Sequence, residues 1–513
     1  MNNSTSNTQN CRVLVGGPGS GKTSMMLNEM AAQPGRYILA APRKDLIEEH
    51  VVRLRALATS HGRTPKLKPI HSDQGPREPV GRRVAEALEA YDMEEHVVIA
   101  ITHEALIALE GAALTCWHVR IDEIPDGAIL SSQVSIRTSW PALAARYALE
   151  PSGVPGQSVI RLRPDIDNLP LSAITEDVGQ KLVGLHRAIA TSTRTVIVDI
   201  DDWADASLTG RRVNWWSIWS LDVLAGCESI VLTGASYVGS ILQRVMEGST
   251  RITVTLEEVA TSVRTDSPRI HTHYYTRHPG STSWWQTDDG SRCLVQISRH
   301  LESISFRGYW ACNDVVVPYF RHRIPDAAQC KPKQAGSNSL RQHASCAMIY
   351  SNKSQANDEP IMDVLGLDDN DIRSAREDED VFQFALRGAI RAANYNGVYD
   401  IHVYDQHQAE RLRDRLVTQR YGDVVLVPID AAGIMDIARP TSNHAYKASP
   451  PHKSSVEQRE QNRLKECQRG RRRREILRDQ RQAEGTLRKP GRPRSIPNLG
   501  TVNEMQSQHK LDR

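Results

Sequence analysis

Short apolar runs alternate with stretches of helical periodicity through the first half of the chain: Cys11–Val15, Tyr37–Ala41, His96–Thr102, His118–Ile121, Thr195–Ile200 and Ser229–Thr233. Strands spaced by helices in this way predict a parallel sheet covered by helices on both faces. A Pro-, Ser- and Gly-rich stretch, 126–194, separates two of the runs by more than a crossover needs and reads as an insertion. A second set of runs, Arg292–Ser298, Asp314–Val317, Cys346–Tyr350, Tyr399–Tyr404 and Asp423–Pro428, predicts a second α/β domain, with the connector between Glu247 and Pro268. The expected organisation is α/β: a first domain over 1–255, a second over 256–430, and a tail over 431–513.

Beyond residue 430 the apolar periodicity stops, and Pro, Ser and basic residues take over. Too little apolar surface remains there to offset the entropy of ordering, so most of the tail is expected to be disordered. Residues 454–484 differ, because they lack Pro and carry Glu and Arg at helical spacing; a helix is expected there, solvent-exposed or formed on binding. Charge divides at the same place. Residues 431–513 hold 19 Lys+Arg against 9 Asp+Glu, the rest of the chain 45 against 52, within totals of 64 and 61. A mildly acidic body with a basic tail suggests an arm for nucleic acid or another polyanion.

The chain's 513 residues allow two or three domains with their own cores, built mainly of aliphatic side chains because only four Phe are present. Its eight cysteines, Cys11, Cys116, Cys227, Cys293, Cys312, Cys330, Cys346 and Cys467, form no Cys-x-x-Cys pair. That argues for reduced thiols in a cytoplasm and against a zinc site. The polar, uncharged start over 1–10 and the lack of any apolar run of membrane length predict neither a signal peptide nor a transmembrane helix.

The sharpest local feature is Gly16-Gly17-Pro18-Gly19-Ser20-Gly21-Lys22-Thr23, set between the apolar Val13-Leu14-Val15 and the helix-favouring stretch from Ser24 to Met30. Its glycines let successive backbone N–H groups point at phosphates, and a helix starting at Lys22 adds the positive end of its dipole. Lys22 is expected at the β- and γ-phosphates of a nucleoside triphosphate, and Thr23 on Mg²⁺. Downstream, His118-Val119-Arg120-Ile121-Asp122-Glu123 ends an apolar run in two acids. Asp122 is the expected Mg²⁺ partner, and Glu123 the group that orients and polarises the attacking water.

In their order these motifs resemble those of the superfamily 1 and superfamily 2 helicases and translocases, more closely the DEAD-like second group. Asp122-Glu123-Ile124-Pro125 is similar to the Asp-Glu box. Ala41-Pro42-Arg43-Lys44-Asp45-Leu46 resembles the segment that touches the nucleic-acid backbone, which implies contacts by Pro42 and Arg43. Ile101-Thr102-His103-Glu104-Ala105-Leu106 resembles the Thr-His-x-Ala-Leu segment, which adds Thr102 to the nucleic-acid set, whereas His103 receives no chemistry. Leu232-Thr233-Gly234-Ala235-Ser236 is similar to the motif coupling hydrolysis to movement, implying that role for Thr233 and Ser236. Gly336-Ser337-Asn338-Ser339-Leu340-Arg341 resembles the Gly-Asn motif and brings Asn338 toward the strand. Gln383-Phe384-Ala385-Leu386-Arg387-Gly388-Ala389-Ile390-Arg391 is similar to the arginine motif that closes over the γ-phosphate, which places Gln383 at the nucleotide.

Three departures accompany the resemblance. Leu386 stands at the arginine motif's glycine position and one extra residue separates Arg387 from Arg391, so either could be the finger, or the two could form a solvated helix face. The acidic box ends in Ile-Pro, and no adenine-recognising Gln motif precedes the phosphate loop, so ATP is favoured by analogy alone. The resemblance implies two tandem RecA-like P-loop domains with ATP and Mg²⁺ between them. An arginine from a second domain would make stabilisation of the transferred phosphoryl depend on closure, and so couple hydrolysis to motion.

In the tail, Lys489-Pro490-Gly491-Arg492-Pro493-Arg494 resembles an AT-hook core, which would lay Arg492 and Arg494 in the narrow minor groove of A·T-rich DNA. Trp215, Trp216, Trp219, Trp284 and Trp285 are expected to pack, with stacking on bases as the alternative. The resulting expectation is a DNA helicase or translocase acting in replication or recombination of a mobile element. A packaging-type motor and an ATP-switched origin-binding protein that does not unwind are the alternatives.

Overall fold

The structure is a computed structural model, and the residues it describes are 8–73, 78–135, 140–164, 182–204, 208, 212–259, 266–333, 340–355 and 357–438. The expected tail helix over 454–484, Arg492, Arg494 and Asn338 lie outside these residues.

Strands β1 (Gln9–Val15), β2 (Arg36–Ala41), β3 (Lys66–Pro69), β4 (Val97–Thr102) and β5 (His118–Asp122) open the chain. Strands β6 (Ile129–Ser135), β7 (Tyr147–Pro151), β8 (Ser158–Leu162), β9 (Thr195–Val198) and β10 (Arg212–Ile218) follow as a separate sheet, and β11 (Ser229–Thr233) and β12 (Ile252–Glu258) return to the first. The first sheet is seven-stranded and parallel, in the order β12-β1-β11-β5-β2-β4-β3. The second half supplies β13 (Arg269–Thr276), β14 (Tyr309–Cys312), β15 (Ala328–Gln329), β16 (Ser345–Ile349), β17 (Val398–Asp405) and β18 (Asp423–Pro428). They form a six-stranded parallel sheet in the order β15-β14-β16-β17-β13-β18. These are two tandem RecA-like α/β domains.

Several strands of both sheets are buried almost end to end because helices cover both faces. Tyr37 to Ala41 of β2 are all buried, as are Tyr309 to Cys312 of β14. Helix α1 (Lys22–Ala32) follows β1, and helix α2 (Lys44–Ser60) follows β2; the two pack together on one face of the first sheet. Among the described residues no helix is long and apolar enough to cross a membrane, and the seven cysteines are free thiols.

Several runs take another form than the one expected. Thr195–Ile200 supplies β9 of the antiparallel sheet β6-β10-β9-β8-β7, not a strand of the parallel sheet. An apolar run shows that a strand forms but not which sheet receives it. Arg292–Ser298 is the middle of a helix, Asp288–Ser303, whose Cys293, Leu294, Ile297 and Leu301 make a buried stripe at helical spacing. Asp314–Val317 is a turn leading into a short helix, Val317–Phe320, with Pro318 in its first turn. Ordered chain also continues past residue 430: Ile434 and Met435 are buried, and the Met435 carbonyl accepts the Arg277 N–H at 2.9 Å.

The antiparallel sheet interrupts the first domain between β5 and β11 and packs on the second domain. Ile197 and Trp216 from this sheet bury against Ile361 of helix Glu359–Leu365. Beside them the Ser131 hydroxyl donates to Asp358 Oδ1 at 2.9 Å, while Arg376 grips both Asp358 oxygens at 2.8 and 2.9 Å. Trp215, Trp216, Trp219, Trp284 and Trp285 are all buried, so packing is their use. Trp216 joins three separate elements, and its replacement by Ala is expected to destabilise the folded chain by about 3–5 kcal/mol. Denaturant titration checks this, and an unchanged midpoint in Trp216→Ala would show that the inserted sheet does not hold the second domain.

Candidate active site

The order of strands brings the candidate residues together. β11 lies between β1 and β5, in a register that pairs Leu14 with Thr233 and Thr233 with Asp122. Three neighbouring carboxyl ends therefore deliver the phosphate loop, Thr233 and the acidic pair to one place, as ligand sites of open α/β sheets generally form. Within the loop Gly16 has φ 151°, and a Cβ there would fall 2.8 Å from the Val259 carbonyl oxygen. Gly21, with φ 94°, caps α1 in a left-handed conformation that favours glycine.

Asp122 is the hub. Its Oδ1 accepts hydrogen bonds from the Thr23 hydroxyl (2.7 Å) and the Thr233 hydroxyl (2.9 Å), and its Oδ2 from His50 Nε2 (2.7 Å). Its carbonyl oxygen accepts from His103 Nε2 at 2.9 Å. Burial alone would raise its carboxyl, but the bonds from His50, Thr23 and Thr233 outweigh it and hold the group below the usual range. A threonine hydroxyl and a carboxylate oxygen side by side are hard donors of the type Mg²⁺ takes, so Thr23 and Asp122 fit that ion.

Glu123 turns away from the strand with φ 68°, unusual for a residue with a Cβ, and its N–H donates to the Thr233 hydroxyl oxygen at 3.0 Å. Burial and the adjacent Asp122 raise its carboxyl to about 7, against the pull of Arg387 and Lys22. Lys22 is buried and donates to the carbonyls of Gly16 (2.7 Å) and Gly17 (2.9 Å) and to Ser20 Oγ (3.3 Å). Desolvation lowers it to about 8 despite the nearby acids.

The second domain faces this loop. Arg391 lies against Gly19, where a methyl group would sit 3.8 Å from its Cγ, and the Tyr421 hydroxyl donates to the Pro18 carbonyl at 2.8 Å. Arg387 and Arg391 do not share a helix face, because helix Glu379–Ala385 ends before both and Arg391 stands in a separate turn, Ala389–Arg391. Arg387 is buried and donates to Gln383 Oε1 at 3.4 Å. Arg391 falls to about 10 through burial and the like charges of Arg387 and Arg341. A cleft of about 1340 Å³ between the domains is lined by Gly19, Gly21, Lys22, Thr23, Pro42, Asp122, Glu123, Thr233, Ser236, Gln383, Arg387 and Arg391.

Two other expected contacts make local bonds. Thr102 caps the helix His103–Ala108 by accepting the Ala105 N–H at 3.3 Å, and Arg43 pairs with Asp45 at 3.6 Å at the start of α2. His50 carries no motif signal. Its one trace in the sequence is position: it falls on the buried stripe Leu46, Ile47, Val51, Leu54 and Ala58 of α2, where a polar residue needs a partner.

No protein-family model matches the chain, and no curated protein matches it. Its fold is similar to a solved structure described as XPD helicase (10% identity over 82% of this chain and 97% of that chain, TM-score 0.46). It is also similar to S. cerevisiae Dbp5 bound to RNA and ADP BeF3 (10% identity, 83% and 87% covered, TM-score 0.35) and to T4 UvsW (9% identity, 82% and 73% covered, TM-score 0.21). Likeness at this level carries no residue roles to the chain.

His50→Ala would leave Asp122 Oδ2 buried without its donor and is expected to destabilise the protein by about 1–3 kcal/mol. The exposed His61→Ala, which loses a surface bond to Asn28, is the control. Equal unfolding midpoints for the two variants would remove His50 from the hub.

Proposed function

We propose that this chain is a Mg²⁺-dependent ATP hydrolase whose turnover is coupled to movement along a nucleic acid, with DNA favoured over RNA. One observation carries the reading: Lys22 of the first domain and Arg341, Arg387 and Arg391 of the second line one cleft with Asp122 and Glu123, and Arg391 lies against the loop at Gly19. Crowded, partly desolvated cations repel one another, and a polyphosphate seated among them removes that repulsion. Thr23 and Asp122 would hold Mg²⁺, which supplies charge neutralisation at the phosphates when bound.

Each residue then has a distinct task. The loop N–H groups and Lys22 bind the phosphates, and Glu123 positions the attacking water and takes up its proton. Arg387 and Arg391 reach the transferred phosphoryl from the second domain, so the site is complete only when the domains are closed. Thr233 contacts both Asp122 and the Glu123 N–H, which suits it to report nucleotide state to neighbouring elements. Pro42, Arg43, Thr102 and Asn338 are the proposed strand contacts. The preference for DNA rests on the basic tail with Arg492 and Arg494.

Lys22→Ala is expected to abolish hydrolysis, and Glu123→Gln to bind ATP but turn over about 10²–10⁴-fold more slowly. At least one of Arg387→Ala and Arg391→Ala should keep nucleotide affinity within a modest factor yet lose about 10³–10⁵ in strand-stimulated rate. ATPase and nucleotide-binding assays with and without single-stranded DNA, duplex DNA and RNA check all four. Tight binding with negligible turnover in the unaltered protein would replace the motor by an ATP-operated switch.

Because ordered chain continues beyond residue 430, the test of the basic arm is truncation after Arg439. Basal ATPase should persist, while every phosphate that the arm no longer neutralises flattens the dependence of log K on log salt by about 0.9 on duplex DNA. An unchanged affinity and salt slope in the truncated protein would remove the tail from nucleic-acid binding.

A further inference from the structure

Away from the cleft, the second sheet holds a cluster that the proposed hydrolysis does not use. β13 and β17 are parallel neighbours in a register that sets His271 beside Asp400 and His273 beside His402. Residues two apart on a strand share a face. His271, His273 and Asp400 therefore project together. Asp400 Oδ1 lies 3.2 Å from His271 Nδ1 and 2.9 Å from His273 Nε2. Among the described residues, this is the one group of three His, Cys, Asp or Glu side chains whose ligand atoms all fall within 4.8 Å of one another.

We propose that His271, His273 and Asp400 bind a divalent cation of the Zn²⁺ class, held across β13 and β17 with a solvent-facing fourth position. Two imidazole nitrogens and one carboxylate oxygen form a donor set that suits Zn²⁺ and its neighbours and not Mg²⁺ or Ca²⁺, which prefer oxygen. The spacing agrees. Ligands about 2.0–2.1 Å from a tetrahedral Zn²⁺ lie roughly 3.3 Å from each other, close to the 3.2 and 2.9 Å from Asp400 Oδ1 to the two imidazole nitrogens. Scattered cysteines argue only against a thiolate site, and this one needs none.

The site is also preorganised and accessible. The His273 ring stacks on His402 at 4.4 Å between centroids and 13° between planes, and meets the His271 ring edge-on at 6.0 Å. His402 is buried and its Nδ1 is 3.0 Å from the Tyr275 hydroxyl, so it forms a fixed wall behind the cluster. His273 Nδ1 is buried with no hydrogen-bond partner among the described residues, so stacking holds that ring in place. His271 and Asp400 are 34% and 38% exposed against 15% for His273, which leaves an entry path and room for a water on the open side.

The test uses the full chain, stripped with a chelator and titrated with Co²⁺ as a spectroscopic probe and with Zn²⁺ in competition. The expected result is one equivalent with the absorption of four-coordinate Co²⁺, displaced by Zn²⁺. Losing a ligand should weaken binding at least as much as losing a ligand's supporting hydrogen bond, at least about tenfold, in each of His271→Gln, His273→Ala and Asp400→Asn. Zn²⁺ should raise the melting temperature of the unaltered protein and not that of His273→Ala. His271→Gln, at a partly exposed position, is the variant expected to fold normally, and circular dichroism without metal checks all three. Absence of a stoichiometric Co²⁺ site, or equal affinity in a correctly folded His271→Gln, would overturn the proposal and leave Asp400 as a hydrogen-bond acceptor between two histidines.

Discussion

The buried carboxylate of Asp122 is the point on which the site depends. A charge so thoroughly removed from water persists only if hydrogen bonds replace its solvation. Here the donors come from three separate segments: Thr23 at the start of α1, His50 within α2, and Thr233 at the end of β11. Satisfying one carboxylate thus fixes the phosphate loop, the second helix and a neighbouring strand end relative to one another. The same threonine that holds Asp122 also accepts the N–H of Glu123, whose left-handed backbone aims its side chain into the cleft. A strained residue of this kind persists where its surroundings over-determine it.

The second domain completes the arrangement through contacts of two kinds. At the cleft, Arg391 lies over Gly19 and Tyr421 reaches Pro18, so a cation and a hydroxyl of one domain meet the loop of the other. Farther away, the inserted antiparallel sheet touches the second domain through Trp216 and Ile361, and through the Ser131–Asp358–Arg376 chain of hydrogen bonds. The insertion therefore acts as a strap across the joint. Any opening of the cleft must break or carry with it this apolar contact and the Ser131–Asp358 hydrogen bond.

Much of this was legible before folding. The glycine-rich loop from Gly16 to Thr23, its flanking strand and helix, and the acidic pair Asp122-Glu123 are local features, visible as particular residue types at fixed short spacing. Strands β1, β2, β4, β5, β11, β16, β17 and β18 were legible for a different reason: each carries a short run rich in apolar, largely β-branched and aliphatic residues. The same reasoning misread Arg292–Ser298, whose apolar residues also satisfy helical spacing, and passed over β13, whose His-Thr-His-Tyr-Tyr sequence mixes polar and aromatic residues. It also assigned Thr195–Ile200 to the wrong sheet.

By itself, then, the sequence determined the elements with strong local signals: two parallel α/β domains, a glycine-rich strand-to-helix loop and an acidic pair. Strand order, sheet membership and cross-chain pairing were decided only by the tertiary structure, since they depend on which distant surfaces bury one another. That His50 donates to Asp122 across 72 positions, that Arg391 rather than Arg387 lies on Gly19, and that two histidines and an aspartate meet on adjacent strands are facts of this second kind. A histidine in an apolar stripe announces that it needs a partner, and only packing chooses which one.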